Sequence, residues 1–243
     1  MADGMQFPAV RVGCQHCGAR NRAVCSDCVP AELEELDRIK VYRRFAAGDT
    51  IAWAGERMPM IGSVIEGVAV LSATLSDGRR QTVGLLLPSD FLGRPGRARA
   101  GFDVVAATEV TFCMFRTAEF ERLLEQSPRM FNRLLEMKMD ELDVAREWMV
   151  LLGRKTARER IASLLVLLGR REAEIAERPV SGRVTFPLRI TREAMADYLG
   201  LTIETVSRQL SQLRREHLIR LVENRGVEIP DFDALAAESG GPE

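Results

Sequence analysis

Tyr198-Leu-Gly-Leu-Thr-Ile-Glu-Thr-Val-Ser-Arg-Gln-Leu-Ser-Gln-Leu213 is the stretch of the chain that decides its fold class. Gly200 can take the left-handed conformation that ends a helix, and Thr202 can cap the start of the next one. Thr191 is the matching N-cap of the first helix. A core shared by the two helices would consist of Ala194, Met195, Leu199, Leu201, Val206, Leu210 and Leu213. The pattern predicts two short helices joined by a tight turn.

The second of these helices has a polar face opposite its apolar one. The residues on this face follow the spacing i, i+3, i+4 and i+7 and are Glu204, Ser207, Arg208 and Ser211. Arginine can donate to guanine with two hydrogen bonds, glutamate can accept from the cytosine amino group, and serine can touch a base or a phosphate. Each residue taken alone also has an ordinary explanation, as a solvent-facing or ion-paired side chain.

A hairpin wing is expected to follow this motif over residues 221–229. The motif and the wing together predict a winged helix-turn-helix that binds double-stranded DNA. Further residues are expected on the DNA side, at the helix start or as phosphate contacts that position the protein without reading sequence, and these are Thr202, Arg192, Arg214 and Arg225.

Charge is distributed unevenly along the 243 residues, although the net charge is only −1. Residues 151–230 carry 15 Lys or Arg against 10 Asp or Glu, which favours a local basic surface for DNA. No apolar run approaches the roughly 18 residues of a membrane-spanning helix, so we expect a cytoplasmic protein without a membrane partner. With two histidines and no nucleophile elbow or phosphate loop, an enzyme is not expected.

Residues 128–152 predict one long uninterrupted helix. A seam with 3-4-3-4 spacing runs along it and comprises Leu135, Lys138, Leu142, Ala145, Met149 and Leu152. This seam can pack on a second copy of itself, or the helix can be an ordinary core helix with a broad apolar stripe. The acidic residues beside the seam, Asp140, Glu141 and Asp143, would repel their copies across a two-fold axis and make association adjustable.

Short apolar runs separated by turn residues such as Asp77-Gly78 fill residues 41–115 and predict a sheet-rich roll. A short acidic helix from Pro30 to Arg38 is expected before the roll. A second short helix, ending near Gln126, is expected after it.

Four of the five cysteines lie within fifteen residues, as Cys14, Cys17, Cys25 and Cys28, and the fifth is Cys113. A disulfide framework is disfavoured because the count is odd and a chain of this length needs no disulfides to fold. Zinc would be satisfied by the four N-terminal cysteines alone, whereas an iron–sulfur cluster could take three of them and a distant fourth. Cys113 is therefore the residue that separates these two alternatives.

Taken together, these motifs resemble the CRP/FNR superfamily of transcription regulators over nearly the whole chain. The resemblance implies an α+β fold with four parts: a cysteine-rich segment (1–29), a cyclic-nucleotide-binding-like β-roll (30–127), a long dimerisation helix (128–152) and a C-terminal winged helix-turn-helix (153–243). It also implies a homodimer. The face formed by Glu204, Ser207 and Arg208 matches the FNR-type motif that reads TTGAT half-sites in a TTGAT-N4-ATCAA-like palindrome.

The cysteines resemble those of the oxygen-sensing FNR branch, in which three N-terminal cysteines and one from the roll hold an oxygen-labile [4Fe-4S] cluster. The resemblance implies the ligand set Cys14, Cys17, Cys25 and Cys113, with Cys28 as an alternate. Here Cys17 is followed by Cys25 after seven residues, longer than the best-known FNR spacing of five, so the third ligand is uncertain. A zinc-binding or cluster-free regulator of the same fold is the alternative.

The resemblance also bears on two possible partners, cAMP and RNA polymerase. The cyclic-nucleotide pocket of the CRP branch has Gly-Glu and, some ten residues on, Arg-x-Ala, whereas here Gly93 is followed by Arg94 and the later stretch is 102–107. This departure predicts that cAMP is not a ligand. RNA polymerase is expected to touch the hairpin loop 76–80, although an exposed turn there is equally explained by folding alone.

Overall fold

Residues 41–116 form two four-stranded sheets of a β-roll in the computed structural model, which describes residues 13–222 and 226–240. The strands are β1 (Val41–Phe45), β2 (Thr50–Ala52), β3 (Met60–Glu66), β4 (Ala69–Thr74), β5 (Arg80–Leu86), β6 (Phe91–Leu92), β7 (Asp103–Ala106) and β8 (Val110–Arg116). The strand order is β1-β8-β3-β6 in one sheet and β2-β7-β4-β5 in the other. β8 therefore lies between β1 and β3 and is paired along both of its edges.

Apolar side chains from both sheets fill the interior of the roll, among them the fully buried Val64 and Phe112. A tight turn after β3 depends on Gly67, whose φ is +84°. A Cβ atom at this position would lie 2.1 Å from the carbonyl oxygen of Glu109. Only glycine fits here, because the turn needs both the positive φ and the close approach of the backbone.

Three helices adjoin the roll and are α1 (Pro30–Ile39), α2 (Thr117–Gln126) and α3 (Pro128–Arg154). α1 begins with proline, whose missing N–H is not needed there, and Glu32 accepts a hydrogen bond of 2.9 Å from the Val29 N–H. Leu33 and Leu36 of α1 join Phe120 and Met130 in a buried apolar cluster that also contains Cys14 and Cys113. The three helices thus pack beside Cys14 and Cys113.

The C-terminal part combines four helices with a three-stranded sheet. Its helices are α4 (Ala157–Ile175), α5 (Arg192–Leu199), α6 (Ile203–Arg215) and α7 (Phe232–Glu238). Its strands are β9 (Val184–Pro187), β10 (Arg220–Val222) and β11 (Gly226–Ile229), in the order β10-β11-β9. The antiparallel pair β10 and β11 is the predicted wing.

The chain divides into two compact units: residues up to Leu71 together with Leu85–Met139, and Ser72–Gly84 together with the residues from Asp140 onward. α3 begins at the predicted residue, Pro128, and ends two residues after the predicted end. The predicted α+β class, with a β-roll and a C-terminal helix-turn-helix, is confirmed. In the described part of the chain, no helix is long and apolar enough to cross a membrane.

Candidate metal centre and nucleic-acid interface

The N-terminal cysteines lie on a short irregular segment that is fixed at several points to the rest of its unit. Single turns of 3-10 helix cover Cys14–His16 and Arg20–Arg22. The Cys14 N–H donates to Asp37 of α1 at 2.9 Å, and the buried hydroxyl of Ser89 donates to the Ala19 carbonyl at 2.8 Å. The segment therefore has a defined path across the roll and α1.

Cys113 lies on the central strand β8, far from the other cysteines in sequence but not in space. It faces Tyr42 of β1 and Ser63 of β3 across the sheet, and it is buried. Next to it, a Cβ on Gly62 would lie 2.0 Å from the Cys113 carbonyl oxygen, so the backbones of β3 and β8 approach closely here. The sheet holds Cys113 firmly in position.

Mutual charge effects show which thiols are neighbours. Burial, followed by the charges of Cys28, Cys17 and Cys14, raises the pKa of the Cys25 thiol to about 12. Burial also raises the pKa of Cys113, with added effects from Cys14, Cys25 and Cys17. The thiols of Cys14, Cys17, Cys25 and Cys113 therefore lie within electrostatic range of one another.

Cys28 has a different environment. Burial raises the pKa of its thiol to about 11, and the next effect is the charge of Glu32, whereas Cys14 contributes least among the causes. Cys28 is nevertheless buried in the same apolar cluster as Cys14 and Cys113, and among the charges its effect on the pKa of Cys25 is the largest. Both candidates for the third N-terminal ligand therefore lie near the other cysteines, and Cys25 is the one whose charge is a main effect on the pKa of Cys113.

The spacing of these thiols bears on what they can hold. Within residues 13–222 and 226–240, no three His, Cys, Asp or Glu side chains converge closely enough to hold a single metal ion. Zinc would require sulfurs at about 2.3 Å from one point. A four-iron cluster instead takes one thiolate at each of its four irons. All five cysteines are free of disulfides.

Three residues beside the cysteines escaped the sequence analysis, namely Asp37, Lys40 and Tyr42. The Lys40 ammonium lies 2.5 Å from a carboxylate oxygen of Asp37 and 3.5 Å from the sulfur of Cys14. The sequence holds one signal for them, an acid and a base three residues apart at the end of a helix. That pattern is common on exposed helices, and only the fold brings this pair to the thiols.

In the second unit, α5 and α6 form the expected helix-turn-helix. The Thr191 hydroxyl accepts from the Ala194 N–H at 3.1 Å, and the Thr202 hydroxyl accepts from the Thr205 N–H at 3.2 Å. Gly200 ends α5 with a φ of +61°. The buried core contains Met195, Leu199, Val206, Leu210 and Leu213, as predicted, together with Ala196 and Tyr198.

The predicted reading face of α6 points outward. Glu204, Arg208 and Ser211 are exposed, and Ser207 is half-buried. Hydrogen bonds from its own backbone N–H and from Thr202 lower the pKa of Glu204, so this carboxylate is a pure acceptor at neutral pH. The other predicted DNA contacts Thr202, Arg192 and Arg214 are exposed as well, and Arg225 lies outside the described residues.

The C-terminal end of α3 is tied to α5 by two independent contacts. The guanidinium of Arg160 donates to the carbonyls of Leu152, Lys155 and Leu199, at 2.9, 3.0 and 2.9 Å. The rings of Trp148 and Tyr198 stack with their centroids 3.6 Å apart. The first helix of the motif is thereby fixed to the end of the long helix.

Most of the predicted seam on α3 is exposed at the surface of the chain. Leu135, Leu142, Ala145 and Met149 are exposed, and Leu152 is half-buried. Lys138 differs from the other seam residues, because its ammonium donates to the Phe91 carbonyl at 3.1 Å and is thus directed toward the roll. Further exposed apolar residues that the sequence analysis left out are Phe131, Met139 and Val150.

Comparison with known families gives two matches. Residues 42–127 match the cyclic nucleotide-binding domain, and residues 159–238 match the Crp-like helix-turn-helix domain. The first covers the roll with α2, and the second covers α4 to α7 with the wing.

Individual relatives extend over almost the whole chain. The chain is 52% identical to the transcriptional activator protein FnrL of Cereibacter sphaeroides over 97% of its length and 95% of that protein. It is 41% identical to the nitrogen fixation regulation protein FixK of Bradyrhizobium diazoefficiens over 92% of its length and 94% of that protein. Among solved structures, FixK2 from Bradyrhizobium japonicum aligns with a TM-score of 0.72 and 28% identity, covering 84% of this chain and 100% of that one.

Proposed function

Since the chain belongs to the CRP/FNR family of transcription regulators, we propose that it is an oxygen-responsive activator whose DNA binding is controlled by a [4Fe-4S] cluster. The expectation that it is not an enzyme is confirmed by membership of this family. The observation that carries the proposal is the grouping of four thiols from two distant parts of the chain, three on the N-terminal segment and one on β8.

Cys14, Cys17, Cys25 and Cys113 would hold the cluster. When bound, it supplies an oxygen-labile link between the N-terminal segment and the roll. The apolar surroundings suit such a group, because Val24, Leu36 and Phe115 pack around the cysteines and exclude water.

The N-terminal segment is connected to the dimerisation helix by direct contacts. The guanidinium of Arg133 on α3 donates to the Arg22 carbonyl at 2.9 Å. Met130 and Leu134 of the same helix lie in the apolar cluster that contains Cys14 and Cys113. A change in the path of residues 14–28 therefore alters the packing of the first turns of α3, where the exposed seam begins.

The seam explains how such a change reaches DNA. Half-buried and exposed apolar residues along α3 pack on a second copy in a homodimer, which brings two α6 helices to successive major grooves about one helical turn apart. A monomer would contact a single TTGAT half-site and bind weakly. Acidic residues beside the seam, including Asp140 and Asp143, oppose association, so a modest change at the cysteines is enough to shift it.

Two further features follow the same proposal. We do not expect cAMP to bind at loop 93–102, because polar groups of this loop are already bonded within the protein. Arg99 donates to the Gly55 carbonyl at 2.6 Å, and Glu121 accepts from the Gly96 N–H at 2.8 Å. RNA polymerase would contact the tight loop between β4 and β5, in which Asp77 accepts from Arg79 and all residues from Leu75 to Gln81 are exposed.

The test is an anaerobic absorption spectrum with iron, sulfide and zinc analysis of freshly purified protein, followed by admission of air. We expect about four irons and four sulfides per chain. We also expect a brown chromophore that absorbs at about 400 nm and bleaches in air. Colourless protein with about one zinc per chain would refute the cluster and favour the closed zinc site.

A substitution in the seam tests the dimer. Met149 is 73% exposed, so a glutamate there leaves the monomer fold intact. Across a two-fold axis it would bury two like charges, and we expect Met149→Glu to weaken dimerisation by at least about tenfold. Analytical ultracentrifugation under nitrogen measures this effect.

The matched control for this experiment is Glu147→Ala. Glu147 is exposed on the same stretch of α3 but lies on the side of the helix opposite the seam. We expect the control to dimerise like the unmodified protein. Equal dimerisation of Met149→Glu and the control would contradict the seam as the interface.

A further inference from the structure

Lys40 is a buried cation, which is unusual for lysine. Its side chain is only 9% exposed, and it lies between the end of α1 and the start of β1. Burying an ammonium group is costly unless other groups compensate for the lost water. The neighbouring cation Arg38 shows the ordinary arrangement, because its side chain is 66% exposed and pairs with Glu35 at the surface.

The groups around Lys40 are the thiols and their immediate neighbours. Its ammonium lies 2.5 Å from Asp37, 3.5 Å from the Cys14 sulfur and 5.2 Å from the centre of the Tyr42 ring. Tyr42 in turn is the β1 partner of Cys113. Lys40 thus contacts one predicted ligand, Cys14, directly. It also lies over the ring of Tyr42, which is the strand partner of another predicted ligand, Cys113.

Asp37 fixes this arrangement from the other side. One carboxylate oxygen accepts both from the Lys40 ammonium and from the Cys14 N–H at 2.9 Å. Hydrogen bonds from Lys40 and from the Cys14 backbone lower the pKa of Asp37 to about 2, so the carboxylate is charged at neutral pH. The ammonium is therefore held in place beside the sulfur.

An electrostatic need for this cation arises when the four cysteines act as ligands. Four thiolates bring four negative charges into a site from which water is largely excluded, more than the iron–sulfur core they hold offsets. Burial and the hydrogen bond with Asp37 raise the pKa of Cys14, whereas the charge and hydrogen bond of Lys40 act in the opposite direction. The Lys40 charge likewise opposes the effect of burial on the pKa of Cys113.

We propose that Lys40 is a positioning residue of the cysteine centre, which donates a hydrogen bond to the Cys14 sulfur and offsets the negative charge of the thiolate ligands, so that the protein retains its cluster. This inference rests on the proposed function. It assigns to Lys40 the retention of the cluster and gives it no part in DNA contact.

The test measures the rate of iron release to a chelator under nitrogen. The release is monitored as the loss of absorbance at about 400 nm. Lys40→Met removes the charge and the donor but keeps the length of the side chain. Since loss of an outer hydrogen-bond partner typically weakens metal binding by 10- to 100-fold, we expect release from Lys40→Met to be about tenfold faster or more. Lys40→Gln should also release iron faster and serves if the methionine variant does not fold.

Lys40→Arg, which keeps a positive donor, should release iron like the unmodified protein. Arg38→Met removes a cation that lies two residues before Lys40, in the last turn of α1. It should leave the rate of iron release unchanged. Thermal unfolding of the iron-free proteins, followed by circular dichroism, should be similar for all variants, because the readout is retention of the cluster and not folding.

Release from Lys40→Met and Lys40→Gln at the rate of the Arg38→Met control would overturn the inference. The iron and sulfide content of the unmodified protein distinguishes this outcome from failure of the proposed function. If it carries no iron and sulfide, the proposed cluster itself is refuted. If it carries them and the Lys40 variants retain them equally well, only the role of Lys40 is refuted.

Discussion

Cys113→Ala is expected to lose its cluster completely while the protein remains folded. Cys113 is the single predicted ligand from the roll, and a buried cysteine exchanged for alanine costs only about 1 kcal/mol of the free energy of unfolding. Anaerobically purified Cys113→Ala should be colourless, with almost no iron or sulfide, and should be monomeric at concentrations where the unmodified protein is a dimer.

The matched control is Cys28→Ala. Cys28 is buried like Cys113, but after burial the charge of Glu32 has the largest effect on its pKa, and Cys28 is not among the main effects on the pKa of Cys113. We expect Cys28→Ala to keep its iron, sulfide and brown colour. Loss of colour in Cys28→Ala together with its retention in Cys25→Ala would identify Cys28 as the third N-terminal ligand. Iron-dependent DNA binding by Cys113→Ala would contradict the ligand set.

Arg208→Ala should show the second large effect, loss of specific DNA binding. Arg208 is exposed in the middle of the outer face of α6, where an arginine can bond a guanine with two donors. Each such contact contributes about 1–3 kcal/mol of discrimination, and a dimer makes two. We therefore expect affinity for a TTGAT-N4-ATCAA duplex to fall by roughly thirtyfold or more, measured by fluorescence anisotropy under nitrogen.

Arg214→Ala is the control for sequence reading. Arg214 is exposed near the end of α6 and is predicted to contact phosphate. Its loss should weaken binding to the specific duplex and to a scrambled duplex by the same factor, and should reduce the slope of log affinity against log salt by about 1 per contact. Equal losses on both duplexes for Arg208→Ala would show that Arg208 does not read bases.

The parts of the fold that follow local rules could be predicted from the sequence. Thr191, Gly200 and Thr202 mark the helix-turn-helix because caps and left-handed turns depend on residues a few positions apart. Pro128 begins the long helix for the same reason. The apolar spacing of α3 left open whether its stripe is a dimer seam or part of a core, and in the structure Leu135, Leu142 and Met149 are exposed.

Contacts between distant residues were beyond such rules. The hydrogen bond from Lys138 to Phe91 depends on how α3 packs against the roll, and heptad spacing alone put Lys138 in the seam. The same holds for Lys40, which reaches Cys14 across 26 residues, and for the link from Arg133 to Arg22. The proximity of Cys14, Cys17 and Cys25 to Cys113 also arises only after the segment has folded.

The position of Cys113 within its sheet has a consequence for the direction of any signal. β8 is hydrogen-bonded on both edges, to β1 and to β3, and the close approach at Gly62 leaves its backbone no room to move. The N-terminal cysteines lie on single turns whose backbone hydrogen bonds are local, as from the Arg20 N–H to the Cys17 carbonyl. Cys113 is thus the fixed end of the cysteine centre, and the N-terminal segment is the end that can shift. Under the proposed function, we expect displacement to pass through residues 14–28 and α1 to α3 while the roll remains still.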